Sequence, residues 1–182
     1  MLNLNIGCGL THLDGFVNID KDPGVIPDYV LDVTQGLGKY DTESVSRIYF
    51  SHTIEHIPEK FHVPILEEFW RVLKPKGFLF ISYPEFVLCA KNYIDNFLGM
   101  RDYWKATVYG RQLSPEDFHC ALMDTPQVIR QLKETGFSPV FNSSEPNHSY
   151  NTIIKAFKGE KMPTYEDVIA REVFNATSAA SG

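Results

Sequence analysis

The chain has 182 residues, 43% of them apolar, and a formal charge of −6. That length predicts a single domain with a sizeable core, and the acidic balance argues against a broad nucleic-acid-binding surface. No apolar run reaches the ~20 residues that cross a bilayer, and no signal peptide is expected before the first strand, so no membrane association is expected. At the amino terminus Leu2, Leu4 and Ile6 alternate with Asn3 and Asn5, the period-2 mark of a strand. Gly7-Cys8-Gly9 follows at once, a sharp turn at a strand's carboxyl end where a ligand can approach bare backbone. Residues 15–19 read as a second strand ending on Asp20, and a carboxylate there can accept both hydroxyls of a ribose. The opening therefore reads as half of a nucleoside-cofactor site.

Lys21 to Gly24 is turn chemistry, residues 28–31 form a third short strand ending on Asp32, and residues 34–46 read as a loop or ragged helix. Residues 47–50 form a fourth strand ending near Ser51 and His52. Three strands thus deliver Asp20, Asp32 and His52 to one edge, where parallel sheets place ligands. Ile65, Leu66, Phe69, Trp70, Val72 and Leu73 have helical spacing, with the helix starting near Val63 and ended by Lys74-Pro75-Lys76-Gly77. Residues 78–81 are continuously apolar and fit a strand buried on both faces. Apolar positions from Phe86 to Leu98 predict a helix closed by Gly99, with its aromatics mostly in the core, and residues 101–109 predict a further short helix. A polar loop containing His119 leads to a helix from Thr125-Pro126 to Thr135, stopped by Gly136. Residues 137–141 and 151–157 predict an antiparallel hairpin, residues 165–174 a terminal helix, and residues 175–182 a frayed end. This order predicts an α/β fold with a mainly parallel sheet and one antiparallel strand. Only Leu10 to Asp14 separates Gly9 from the second strand, too short for an ordinary crossover helix, so the sheet should be uncovered there.

Cys8, Cys89 and Cys120 are odd in number and far apart, which fits no disulfide framework or zinc ribbon and points to a reducing, cytoplasmic compartment. His52-Thr53-Ile54-Glu55-His56 matches a zinc-binding pattern that needs a long helix. Pro58 follows and a strand ends just before, so no metal is expected and His56 reads as a hydrogen-bonded structural histidine. A dinucleotide fingerprint is also excluded, because position 12 is His12 rather than glycine and no helix follows.

The segments Leu4 to Gly9, Asn18 to Asp20, Leu31 to Val33, Phe50 to Ile57 and Arg71 to Gly77 stand in the order of the motifs of class I S-adenosylmethionine-dependent methyltransferases, and residues 2–141 resemble that family. The resemblance implies a Rossmann-like seven-stranded sheet with a reduced helix after the first strand, a domain over residues 1–157 with an acceptor-side lid over residues 86–124, and a carboxyl-terminal extension over residues 158–182. It implies S-adenosylmethionine as cofactor and S-adenosylhomocysteine as product, held by Asn5, Gly7, Cys8, Gly9, Asp20, Lys21, Asp32, Val33, Ser51 and His52. Two departures stand out: Asn5 replaces the family's usual acidic residue, and the helix after Gly9 is missing. The acceptor is expected to be a small molecule or a sugar or glycan hydroxyl, with His52 or His119 as the base, and the chain to be a monomer or homo-oligomer. A regulatory or scaffold protein that binds the cofactor without catalysis is the other reading.

Overall fold

A computed structural model describes residues 1–144 and 150–159. The terminal helix expected at residues 165–174, the frayed end and nearly all of the 158–182 extension lie outside the described residues.

Among the described residues seven strands form one sheet in the order β3-β2-β1-β4-β5-β7-β6. They are β1 (Asn3–Ile6), β2 (Val17–Asp20), β3 (Tyr29–Val30), β4 (Val45–Ser51), β5 (Leu73–Pro84), β6 (Phe137–Ser144) and β7 (Asn151–Lys158). β7 is the one antiparallel strand, paired with β5 on one side and β6 on the other. The predicted hairpin and mixed sheet are therefore present. Between β1 and β2 there is no helix, as the short spacing required, and Leu10 in that connection is exposed. The connections β2–β3 and β3–β4 carry only short 3-10 turns, Pro23–Val25 and Val33–Gln35.

Two full helices serve the main core. In α1 (His62–Val72) Ile65, Leu66, Phe69 and Val72 repeat at three- and four-residue spacing and are buried. Pro64 sits in its first turn, where a missing N–H costs nothing. In α4 (Thr125–Thr135) Val128 and Leu132 are buried, and Gly136 at φ 111° closes the helix as predicted. Both helices join Leu4, Ile48, Phe50, Leu79 and Ile81 in a single apolar cluster.

Two expectations fail locally. Lys74 to Gly77 does not merely end a helix, because β5 begins at Leu73, pairs with Val45 and runs through the segment with a register shift. The predicted helix from Phe86 to Leu98 stops early as α2 (Phe86–Ile94), and Asn96 and Leu98 take left-handed φ values of 48° and 57°. Its apolar stripe is too broad for the core available. Cys89 is buried, but Val87, Tyr93, Ile94, Phe97 and Leu98 are exposed. In α3 (Arg101–Tyr109) only Trp104 is buried, so the aromatics of this region are mostly surface rather than core.

Arg71 fixes the loop before β4. Its guanidinium donates to Glu68 at 2.8 and 2.9 Å, to the Tyr40 carbonyl at 3.0 Å and to the Leu37 carbonyl at 3.3 Å. The hydrogen bond from Arg71 holds the Glu68 carboxyl below its usual range. Arg71→Ala is expected to destabilise the fold by about 1–3 kcal/mol, because it strands two carbonyls and a carboxylate. The urea midpoint measures it, and an unchanged midpoint would show that the loop holds itself.

Candidate functional site

The carboxyl ends of β1, β2, β3 and β4 lie side by side and place the site. Ile6 hands β1 to Gly7, which has φ +67°, and a Cβ there would come within 2.2 Å of Thr53 Cγ2. Thr53 Oγ1 in turn lies 3.0 Å from the Ser51 carbonyl. Only glycine permits this approach of the first turn to the loop after β4. The turn that replaces a helix is stitched by side chains. Asn5 Nδ2 donates to the Thr11 carbonyl at 2.8 Å and to Asn18 Oδ1 at 2.9 Å, and Leu13 N donates to the same Asn18 oxygen at 2.8 Å. Buried backbone without helical partners needs such bonds. Asn5 thus borders the site, but its amide nitrogen is spent on the turn.

Asp20 ends β2 with both oxygens engaged. Gly9 N donates to Oδ2 at 2.8 Å and Asp22 N to Oδ1 at 3.0 Å. A carboxylate offers about four lone-pair positions, so two still face outward. Asp32 caps the following 3-10 turn, accepting from Thr34 N at 2.9 Å and Thr34 Oγ1 at 2.8 Å through Oδ1. These groups border a cavity of about 440 Å³, with Leu31, Val33, Ile57 and Phe61 as apolar walls and Lys21 at its margin. Glu116 reaches it from the loop after α3.

A second cavity of about 650 Å³ shares Gly7, Gly9, His52 and His56 with the first. Cys8 and Ser51 border it, and so do Tyr103 and Arg111 from the α3 region, Tyr150 and His119. The hydroxyls of Tyr103 and Tyr150 hydrogen-bond to each other across it. Ser51 Oγ is 2.6 Å from Ser82 Oγ, which ties β4 to β5 at its floor. Burial, with the Asp20 charge second, pushes the Cys8 thiol up to about 11, so it stays protonated and is no nucleophile.

His52 stands where the two cavities meet. Its φ of 49° is left-handed, a conformation that costs a non-glycine residue about 1–2 kcal/mol and is typical of functional positions. His52 N donates to the Ser82 carbonyl at 2.8 Å, Nδ1 lies 3.3 Å from Glu55 Oε1, and Nε2 lies 3.3 Å from Asn151 Nδ2. The next turn, Ile54–His56, is 3-10 and not α, so His52 and His56 do not share a helix face. His62, buried in α1, donates through Nε2 to the Ile57 carbonyl at 2.9 Å, with the Ile54 carbonyl at 3.1 Å, and holds that turn against the core.

His119 comes in from the loop after α3. Its ring meets His56 edge-to-face at 4.8 Å, and Cys120 N and Ala121 N donate to the Glu55 carbonyl at 2.7 and 3.2 Å. Burial lowers the His119 pKa, opposed by the Glu55 charge. All eleven candidate residues therefore border one or other of two joined cavities. Sequence reasoning missed Thr53, Glu55 as a cavity group, Glu116 as an individual residue and Tyr150, whereas Tyr103 falls in the expected acceptor-side lid. Thr53 and Glu55 lay inside a motif already singled out. Tyr150 had no signal, because only the β6–β7 hairpin brings it to α3.

Comparison with known proteins bears on the fold that carries these cavities. A family model described as a methyltransferase domain matches residues 16–81, about a third of the chain. No curated protein matches in sequence. A SAM-dependent methyltransferase from Archaeoglobus fulgidus superposes with a TM-score of 0.64 at 15% identity, over 86% of this chain and 86% of that one. The chain has the class I methyltransferase fold. Two further structures carry the methyltransferase fold over 88% of this chain. One is a SAM-dependent methyltransferase from Methanosarcina mazei, at a TM-score of 0.63, 17% identity and 93% of its own length. The other is phosphoethanolamine N-methyltransferase 2 of Haemonchus contortus, in complex with S-adenosyl-L-methionine, at 0.60, 13% and 49%. This chain has no helix in the β1–β2 connection and only 3-10 turns in the β2–β3 and β3–β4 connections, and no helix of the described residues is long and apolar enough to cross a membrane.

Proposed function

We propose that this methyltransferase-fold chain moves the methyl group of S-adenosylmethionine to a hydroxyl of a small-molecule or sugar acceptor. The observation that carries the reading is the junction of the two cavities at Gly7, Gly9 and His52. The first cavity fits an adenosyl group: two carboxylates face donors, apolar walls face a flat ring, and the open space beside Gly9 leaves room for close approach. Asp20 takes the ribose hydroxyls, Asp32 and Val33 lie along the base, and Lys21 stands at the margin. The backbone of Gly7 to Gly9 lies under the methionine portion, with Ser51 and His52 toward the sulfur.

The cofactor supplies an already activated methyl group on a positively charged sulfur. The chain's task is then to align an acceptor oxygen in line with it and to take the hydroxyl proton. His52 is placed for that task. Its Nδ1 lies 3.3 Å from Glu55 Oε1, and the long contact between Nε2 and Asn151 yields to a bound hydroxyl. His119 borders the same cavity and is the second candidate. The segment 86–124 forms the acceptor side, through Tyr103, Arg111 and His119. The net charge of −6 disfavours a nucleic-acid acceptor, and three unpaired cysteines suit a reducing, cytoplasmic setting.

Mass spectrometry of the purified protein tests the cofactor, with a retained adenosyl-sulfur compound as the expected result. His52→Ala is expected to reduce kcat on the order of a hundredfold or more while cofactor affinity stays within about threefold. Full turnover in that variant would move the base elsewhere. Cofactor binding without methyl transfer across a broad acceptor panel would favour the scaffold reading.

A further inference from the structure

We propose that Glu55, His56 and His119 form a binding site for a divalent transition-metal cation in the wall of the acceptor cavity. One ligand atom from each of the three lies within 4.8 Å of the others. Metal–ligand bonds of about 2.0–2.2 Å in a tetrahedral site put ligand atoms about 3.3–3.5 Å apart, so modest side-chain rotation closes the set.

Three observations separate this cluster from a chance meeting of polar groups. Glu55 is only 1% exposed, and neither carboxylate oxygen makes a hydrogen bond among the described residues. Oε1 has His52 Nδ1 at 3.3 Å, outside hydrogen-bond geometry, and Oε2 has no hydrogen-bond partner among the described residues. A buried carboxylate in that state calls for a cation. His56 lies with Nδ1 3.0 Å from the Phe118 carbonyl. That bond makes Nδ1 the donor and leaves the Nε2 lone pair for a metal, the arrangement ligating histidines use. The backbone also fixes the two halves together, since Cys120 N and Ala121 N hold the Glu55 carbonyl and His119 N donates to the Tyr109 carbonyl at 3.1 Å.

Two imidazoles and one carboxylate suit zinc, iron(II) or cobalt(II), whereas magnesium and calcium prefer all-oxygen shells. Three protein ligands leave a position open, and all three residues border the second cavity, so that position faces the acceptor. The expectation of no metal rested on the lack of a helix that would pair His52 with His56. That helix does not form, and His119, 63 positions beyond His56, supplies the second imidazole instead. Use of the cation to hold an acceptor oxygen rests on the methyl-transfer reading; its binding does not. With His119 as a ligand, His52 is the base.

The test is equilibrium dialysis of the chelator-stripped full chain against zinc, with cobalt(II) absorption as a second readout. One zinc per chain and a cobalt(II) spectrum of low-symmetry coordination are expected, with no displacement by equimolar magnesium. His119→Ala and Glu55→Gln should each weaken zinc binding at least tenfold, while His12→Ala, whose ring bonds the Val25 carbonyl and is not one of the three ligands, should leave it unchanged. Circular dichroism confirms that the variants are folded, and His119→Ala, in a loop, decides the matter should Glu55→Gln unfold. Substoichiometric zinc in the wild type, or undiminished binding in His119→Ala, overturns the proposal. Neither result depends on whether the chain binds an adenosyl cofactor.

Discussion

Asp20→Ala is expected to weaken S-adenosylmethionine binding on the order of a hundredfold. In the proposed binding mode the side chain accepts from two ribose hydroxyls, and charge-assisted hydrogen bonds of this kind are worth about 1.5–3 kcal/mol each when one partner is removed. Even the low end, taken for both, exceeds a tenfold change in Kd. The carboxylate also accepts from Gly9 N and Asp22 N, so part of the loss will come from a loosened turn. Asp20→Asn separates the two contributions, because an amide oxygen keeps one acceptor but its NH₂ opposes a donating hydroxyl. Calorimetry should therefore show a large loss in both variants, and a smaller loss of thermal stability in Asp20→Asn. Unchanged affinity in Asp20→Ala would remove this residue from the site.

Gly7→Ala should cost the fold about 2–5 kcal/mol and abolish measurable cofactor binding. Two penalties add. A side chain at φ +67° meets the left-handed cost of about 1–2 kcal/mol, and a methyl group driven against Thr53 adds an overpacking cost of about 1–3 kcal/mol. Gly9 is the built-in comparison. It also has positive φ, but a Cβ there meets nothing within 4 Å, so Gly9→Ala should cost only about 1 kcal/mol. The double variant Gly7→Ala with Thr53→Gly removes the collision and should recover stability to near the Gly9→Ala level. Urea unfolding of the three proteins measures the difference. Equal effects at Gly7 and Gly9 would show that the loop after β4 does not press on the first turn.

The bare connection after β1 has a consequence for these effects. In place of a helix, the buried Asn5–Asn18 pair holds the turn through side-chain amides. A turn held by few bonds transmits damage at Gly7 or Asp20 directly to the cavity edge, which is why stability and affinity should fall together in these variants. At His52 they should not, because its backbone is fixed by Ser82 whatever side chain it carries.

The sequence by itself determined the strands, the glycine turn, the acidic strand ends and the limits of α4. Each of these is a local matter: period-2 alternation, a turn that only glycine tolerates, and a proline start with a glycine stop are decided within a few residues of chain. Local pattern misled where burial had the last word. The stripe from Phe86 to Leu98 has helical spacing, but a helix persists only as far as the core can cover it, and α2 ends at Ile94. Tertiary structure alone decided which distant groups meet: Thr53 against Gly7, Tyr103 against Tyr150, and His119 beside Glu55 and His56. Those meetings follow from strand order and from backbone bonds that pull the loop after α3 onto the end of β4, and no spacing along the chain encodes them.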